Sequence, residues 1–118
     1  MMNTVRVALA AACAIGLAGC AGMITGGPLI RPGEPTGVIQ VANGSGYNVN
    51  VVLISACNVS TYGLNRLPDG AGIAPGRSYD FQVSAGCWDV SAGSTSGMVE
   101  ARQRMNIPAG GGVRYTVQ

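Results

Sequence analysis

The chain has 118 residues, 47% of them hydrophobic, with seven basic and five acidic side chains, a net charge of +2 and no histidine. That length holds one small domain, and a near balance of charge without any basic run argues against nucleic acid or electrostatic membrane binding as the partner. Without histidine, Ser-His-Asp and Cys-His catalytic sites are excluded.

The first element is an export signal. Residues 1–6 carry one positive charge, Arg6, and residues 7–18 are uninterruptedly small or apolar, followed by Gly19 and Cys20. This is the order of n-region, h-region and cleavage site. A membrane-spanning helix needs roughly 20 apolar residues, and the run is too short for that. Ordinary cleavage after small residues is the rival reading. Leu17-Ala18-Gly19-Cys20 resembles the lipobox of bacterial lipoprotein signal peptides. The resemblance implies that residues 1–19 are removed, that Cys20 receives a diacylglycerol on its thiol, and that its new amino group is acylated. One acyl chain holds a protein marginally and two or more hold it stably, at about 0.8 kcal/mol per buried methylene. Ala21, in place of an aspartate after the cysteine, favours the outer membrane by the enteric sorting pattern.

Residues 20–37 form the next segment, with Gly26-Gly27-Pro28, Arg31-Pro32-Gly33 and Glu34-Pro35. Proline and glycine at this density oppose both helix and sheet, so the segment is expected to be a flexible tether. Residues 38–118 are expected to be the domain. Strands are predicted over 38–43, 48–56, 78–84, 87–92, 98–107 and 113–117, separated by glycine-rich turns. The second strand has Val49, Val51 and Leu53 on one face and Val52 and Ile54 on the other, which predicts a central position. In 78–84, Tyr79, Phe81 and Val83 alternate with Asp80, Gln82 and Ser84. In the strand ending at Ile107, Val99, Ala101, Met105 and Ile107 are expected inward. No stretch after residue 20 has a sustained helical period with caps. The expected fold is all-β: a small antiparallel sandwich of six or seven strands, immunoglobulin-like or prealbumin-like.

The cysteines sort by position. Cys13 lies in the leader and Cys20 at the lipidation site, leaving Cys57 and Cys87. In an oxidising envelope these two are expected to bridge, and a loop of roughly 30 residues then contributes about 3–4 kcal/mol. A metal site lacks ligands, with no histidine and no CxxC. The stretch from Ile73 to Ala92 resembles the hairpin of small secreted β-sandwich modules. It is also similar to uncharacterised bacterial lipoprotein domains in which it pairs with an upstream serine and cysteine, here Ser55 and Cys57, and an aromatic-glycine step, here Tyr62-Gly63. The resemblance implies a fold and a disulfide and brings no catalytic residue with it.

Chemistry is sparse. Gly93-Ser94-Thr95-Ser96-Gly97 is not a nucleophile elbow and has no base to serve it. Asp80 and Asp89 could form a glycosidase-like pair if their strands made a hairpin, but solvated strand faces are the expected setting. Asp89 is expected to pair with Arg102 or Arg104 across strands. Asp69, in Pro68-Asp69-Gly70, matches no calcium loop. The loop after Cys57 holds Tyr62, Leu64, Arg66 and Leu67, a mixture suited to partner contact; the alternative is that its apolar members cover an open end of the sandwich. The resulting expectation is a non-catalytic, lipid-anchored envelope protein without a cofactor, in a structural or protein-binding role. Its partners would be the membrane, through Cys20, and an envelope protein. The alternatives are an accessory lipoprotein of a secretion or envelope-assembly complex, and a small carboxylate- or calcium-dependent hydrolase.

Overall fold

Short β-branched runs punctuated by glycine turns extend naturally, because branched side chains fit a pleated, half-buried surface. A computed structural model describes residues 27–59, 63–97 and 100–118. The expected leader over residues 1–19, Cys20, Tyr62 and Val99 lie outside the described residues. Six strands form: β1 (Thr36–Asn43), β2 (Val51–Ala56), β3 (Ser78–Ser84), β4 (Gly86–Gly93), β5 (Glu100–Ile107) and β6 (Gly112–Val117). They make two three-stranded sheets, ordered β3-β1-β6 and β2-β4-β5, and no helix occurs among the described residues. The domain is an all-β sandwich.

Between the sheets lie Ile39, Val41, Val52, Ile54, Val83, Trp88, Val90, Met105, Ile107, Tyr115 and Val117. Trp88 is fully buried, with its indole Nε1–H donating to the Ser84 carbonyl at 2.7 Å. That bond lets a polar atom enter the core without an unmet donor. Alternation is clearest in β6 and the first part of β1; in β3, Phe81 and Val83 are buried but Tyr79 is 36% exposed, and β4 and β5 depart from it at 90–93 and 102–104. The Tyr79 ring leans on Phe81 at 4.9 Å between centroids.

Three expectations are corrected. The sandwich is not wholly antiparallel, since β6 runs parallel to β1 from Val38↔Gly112 to Asn43↔Val117. The 108–111 turn brings the chain from β5 back to the first sheet beside the start of β1, so β6 leaves in the direction of β1. The crossing is tight at Gly37, where a Cβ would lie 2.5 Å from the Pro108 carbonyl oxygen and 2.6 Å from Ile107 Cγ2. Second, β2 is an edge strand, not a central one; Val52 and Ile54 fill the core while Val51 and Leu53 are half-buried on the other face.

Third, Ala85-Gly86 is a corner that moves the chain between sheets, not a hairpin. β3 pairs with β1 whereas β4 pairs with β2 and β5. Gly86 takes φ 131° there, a conformation that costs other residues strain. Asp80 and Asp89 therefore belong to different sheets.

Within the 20–37 segment, the described residues 27–37 make contacts with the sandwich. Ser84 N–H donates to the Leu29 carbonyl at 2.8 Å, Arg31 N–H to Ser84 Oγ at 2.7 Å, and Ala85 N–H to the Pro35 carbonyl at 2.8 Å. Leu29 packs on the core, and the Arg31 guanidinium lies 5.2 Å from the Trp88 ring centroid. Proline and glycine removed the regular ladder without removing the carbonyls and side chains that can dock.

Candidate functional site

β2 and β4 run antiparallel with Ala56 opposite Trp88, so one further step places Cys57 beside Cys87. Their Cα atoms are 5.6 Å apart and the two are joined as a disulfide, inside the range such bridges require. The Cys57 N–H also donates to the Cys87 carbonyl. Core packing of Trp88 and Val90 thus aligns the strands, and alignment brings the sulfurs together.

The bridge forms one wall of a groove of about 400 Å³ lined by Gly27, Pro28, Arg31, Ala56, Cys57, Asn58, Val59 and Cys87. The docked 27–31 stretch is the opposite wall. Its position depends on Arg66, whose Nη2 donates to the Gly27 carbonyl at 2.6 Å and to the Ile54 carbonyl at 2.8 Å, with Nε adding a second bond to Ile54 at 3.1 Å. Burial lowers the Arg66 pKa from its ordinary value, yet a guanidinium stays charged at physiological pH. Its bonds go to carbonyls, and no carboxylate pairs with it among the described residues.

The loop residues proposed for partner contact separate. Leu64 is 56% exposed, whereas Leu67 is 4% exposed and belongs to the core. Arg66 is the clamp just described. Asn65, which sequence reasoning passed over, closes the open edge of β2. Its Oδ1 accepts from Val52 N–H at 2.9 Å, its Nδ2 donates to the Asn50 carbonyl at 2.8 Å, and the next residue's N–H donates to the Val52 carbonyl at 2.7 Å. Asn-Arg between two leucines carried no periodic signal, and only knowledge that β2 is an edge would have marked it.

The other polar positions also serve the fold. Asn43 is buried; its Nδ2 donates to the Tyr47 and Ile73 carbonyls at 2.6 and 2.7 Å, and its Oδ1 accepts from Ser45 N–H and Oγ–H. Asp89 meets Arg104, directly opposite in β5, in a two-pronged pair at 2.8 and 3.1 Å; Arg102 instead pairs with Glu100 on its own strand. Ser94 and Ser96 hydrogen-bond to each other within the 94–97 turn. No group of three or more Cys, Asp or Glu side chains able to hold a metal occurs among the described residues.

By fold and site the domain is a disulfide-bridged β-sandwich with a docked N-terminal strap. No family model and no curated protein matches the chain.

Proposed function

We propose that this is a lipid-anchored protein of the bacterial envelope whose β-sandwich has a non-catalytic, structural or protein-binding role. The observation that carries the reading is the combination of the Leu17-Ala18-Gly19-Cys20 motif with the Cys57–Cys87 bridge. The first is a signal for export and lipidation, and the second is the bond that an oxidising compartment allows and a reducing cytosol opposes. One cysteine carries the acyl chains and the other two staple the domain. Functional polar side chains are spent on scaffolding: Asn43 and Asn65 close loops and edges, Arg66 clamps the strap, and Asp80 and Asp89 stand on separate sheets. Such a body offers surfaces and not a reaction centre.

Mass analysis of the native protein purified from bacterial membranes tests the reading. The expected mass is that of residues 20–118 with one disulfide, a diacylglycerol on Cys20 and one further acyl chain, and Cys20→Ala should abolish the lipid. An unmodified thiol at Cys20 or a retained leader would overturn it. Crosslinking in intact cells, followed by mass spectrometry of captured peptides, then identifies the protein that the sandwich contacts.

A further inference from the structure

The strap meets the sandwich at one end only. There Thr36 pairs with Ser84, Ala56 with Trp88, Gly86 with Ile107 and Val38 with Gly112, so the disulfide, the 84–86 corner and the 108–111 turn cluster around residues 27–35. The far end is marked by Ala42↔Ser78, Asn43↔Val117, Val51↔Gly93 and Gly93↔Glu100. It carries the 44–48, 74–77 and 94–97 turns and Gln118.

The two ends differ in chemistry. At the disulfide end Pro28, Ile30, Pro32, Pro108 and Ala109 are exposed, with Ile30 47% accessible. Its one acidic residue among the described residues, Glu34, is neutralised by Arg31. The far end presents Asn48, Arg77 and the Ser94 and Ser96 hydroxyls, with Tyr47 and Tyr79 as exposed rings. The disulfide end also exposes Asn58 and Asn106, but its one ion pair is closed and leaves it without net charge, so it loses less on leaving water than an end that carries the Arg77 charge and the Ser94 and Ser96 hydroxyls.

Reach adds a second constraint. Seven residue steps separate Cys20 from Gly27, and a chain spans at most about 3.3–3.6 Å per residue, so Gly27 stays within about 25 Å of the lipidated atom. Were the chain free as far as β1, the allowance would be more than twice that. The Arg66, Ser84 and Ala85 bonds to the strap remove the difference.

We infer that the disulfide end is the membrane-facing end of the domain, with Pro28, Ile30 and the 108–109 turn against the lipid surface. This rests on the proposed lipidation of Cys20. The far end then projects toward the aqueous side, where a protein partner has access to it.

The test uses the lipoprotein made in bacteria and reconstituted into phosphatidylethanolamine–phosphatidylglycerol vesicles. A single nitroxide is attached to Ile30→Cys or to Gly46→Cys; a Cβ at Gly46 meets nothing within 4 Å. With Cys20 alkylated and Cys57 bridged to Cys87, the introduced thiol alone reacts. The label at position 30 should collide severalfold more with lipid-soluble oxygen, relative to a water-soluble nickel chelate, than the label at position 46. Equal or reversed ratios on protein whose mass confirms the lipid would overturn the orientation and leave the anchor standing. An unmodified Cys20 in the same mass spectrum would overturn the anchor, and the orientation with it.

Discussion

Arg66 holds together parts of the chain that are distant in sequence, because a guanidinium offers several N–H donors in a fixed fork. It bonds Ile54 in β2 and Gly27 in the strap at once. Arg66→Ala leaves both carbonyls without that donor, and hydrogen bonds to charged groups contribute about 1.5–3 kcal/mol each at most. A loss of about 1–3 kcal/mol is expected in urea unfolding, together with faster proteolysis within residues 27–35. An unchanged cleavage pattern would mean that the strap is held by Ser84 and the core alone. Arg66→Lys should recover little, since an ammonium cannot make the same forked contact.

At the scale of the element, β2 and β1 are each kept in place by something outside the strand. The edge of β2 is closed by Asn65 and by the backbone of Arg66, and an uncovered edge is a template for pairing with other chains. Asn65→Ala should therefore raise aggregation, followed by light scattering at constant temperature, more than its modest loss of stability would account for. For β1 the constraint is room. Gly37→Ala drives a methyl into the Pro108 carbonyl and Ile107, and overpacking of this kind costs about 1–3 kcal/mol. Because the clash falls at the β5–β6 crossing, the variant's hydrogen exchange should accelerate first in β6. The strands themselves were legible: 78–84 was read to the residue, and the others within one to three residues. Hydrophobic alternation is a local property, and β3 displays it as Phe81 and Val83 inward against Gln82 outward. Tyr79 departs from the pattern, staying 36% exposed although it pairs with the buried Val41.

For the molecule as a whole, the bridge is a contribution open to direct measurement. It joins residues 30 apart, and restricting an unfolded loop of that length contributes about 3–4 kcal/mol in the chain-entropy model. A Cys57→Ala, Cys87→Ala double variant should unfold at correspondingly lower denaturant, with little change in the m-value if the loss lies in stability and not in compactness. Equal stability with and without the bond would show that β2–β4 pairing and the Trp88 core suffice. The chain by itself determined the all-β class, the placement of the strands to within a few residues and the candidacy of Cys57 and Cys87 for a bridge. Each depends on residue type and on neighbours within a few positions. Only the tertiary structure decided which sheet each strand joins, that β6 runs parallel to β1, that β2 is an edge, and that Gly27 to Pro35 lie on the sandwich. Those outcomes depend on contacts between residues tens of positions apart, such as Arg66 with Gly27 or Gly37 with Pro108, and local sequence patterns do not encode such contacts.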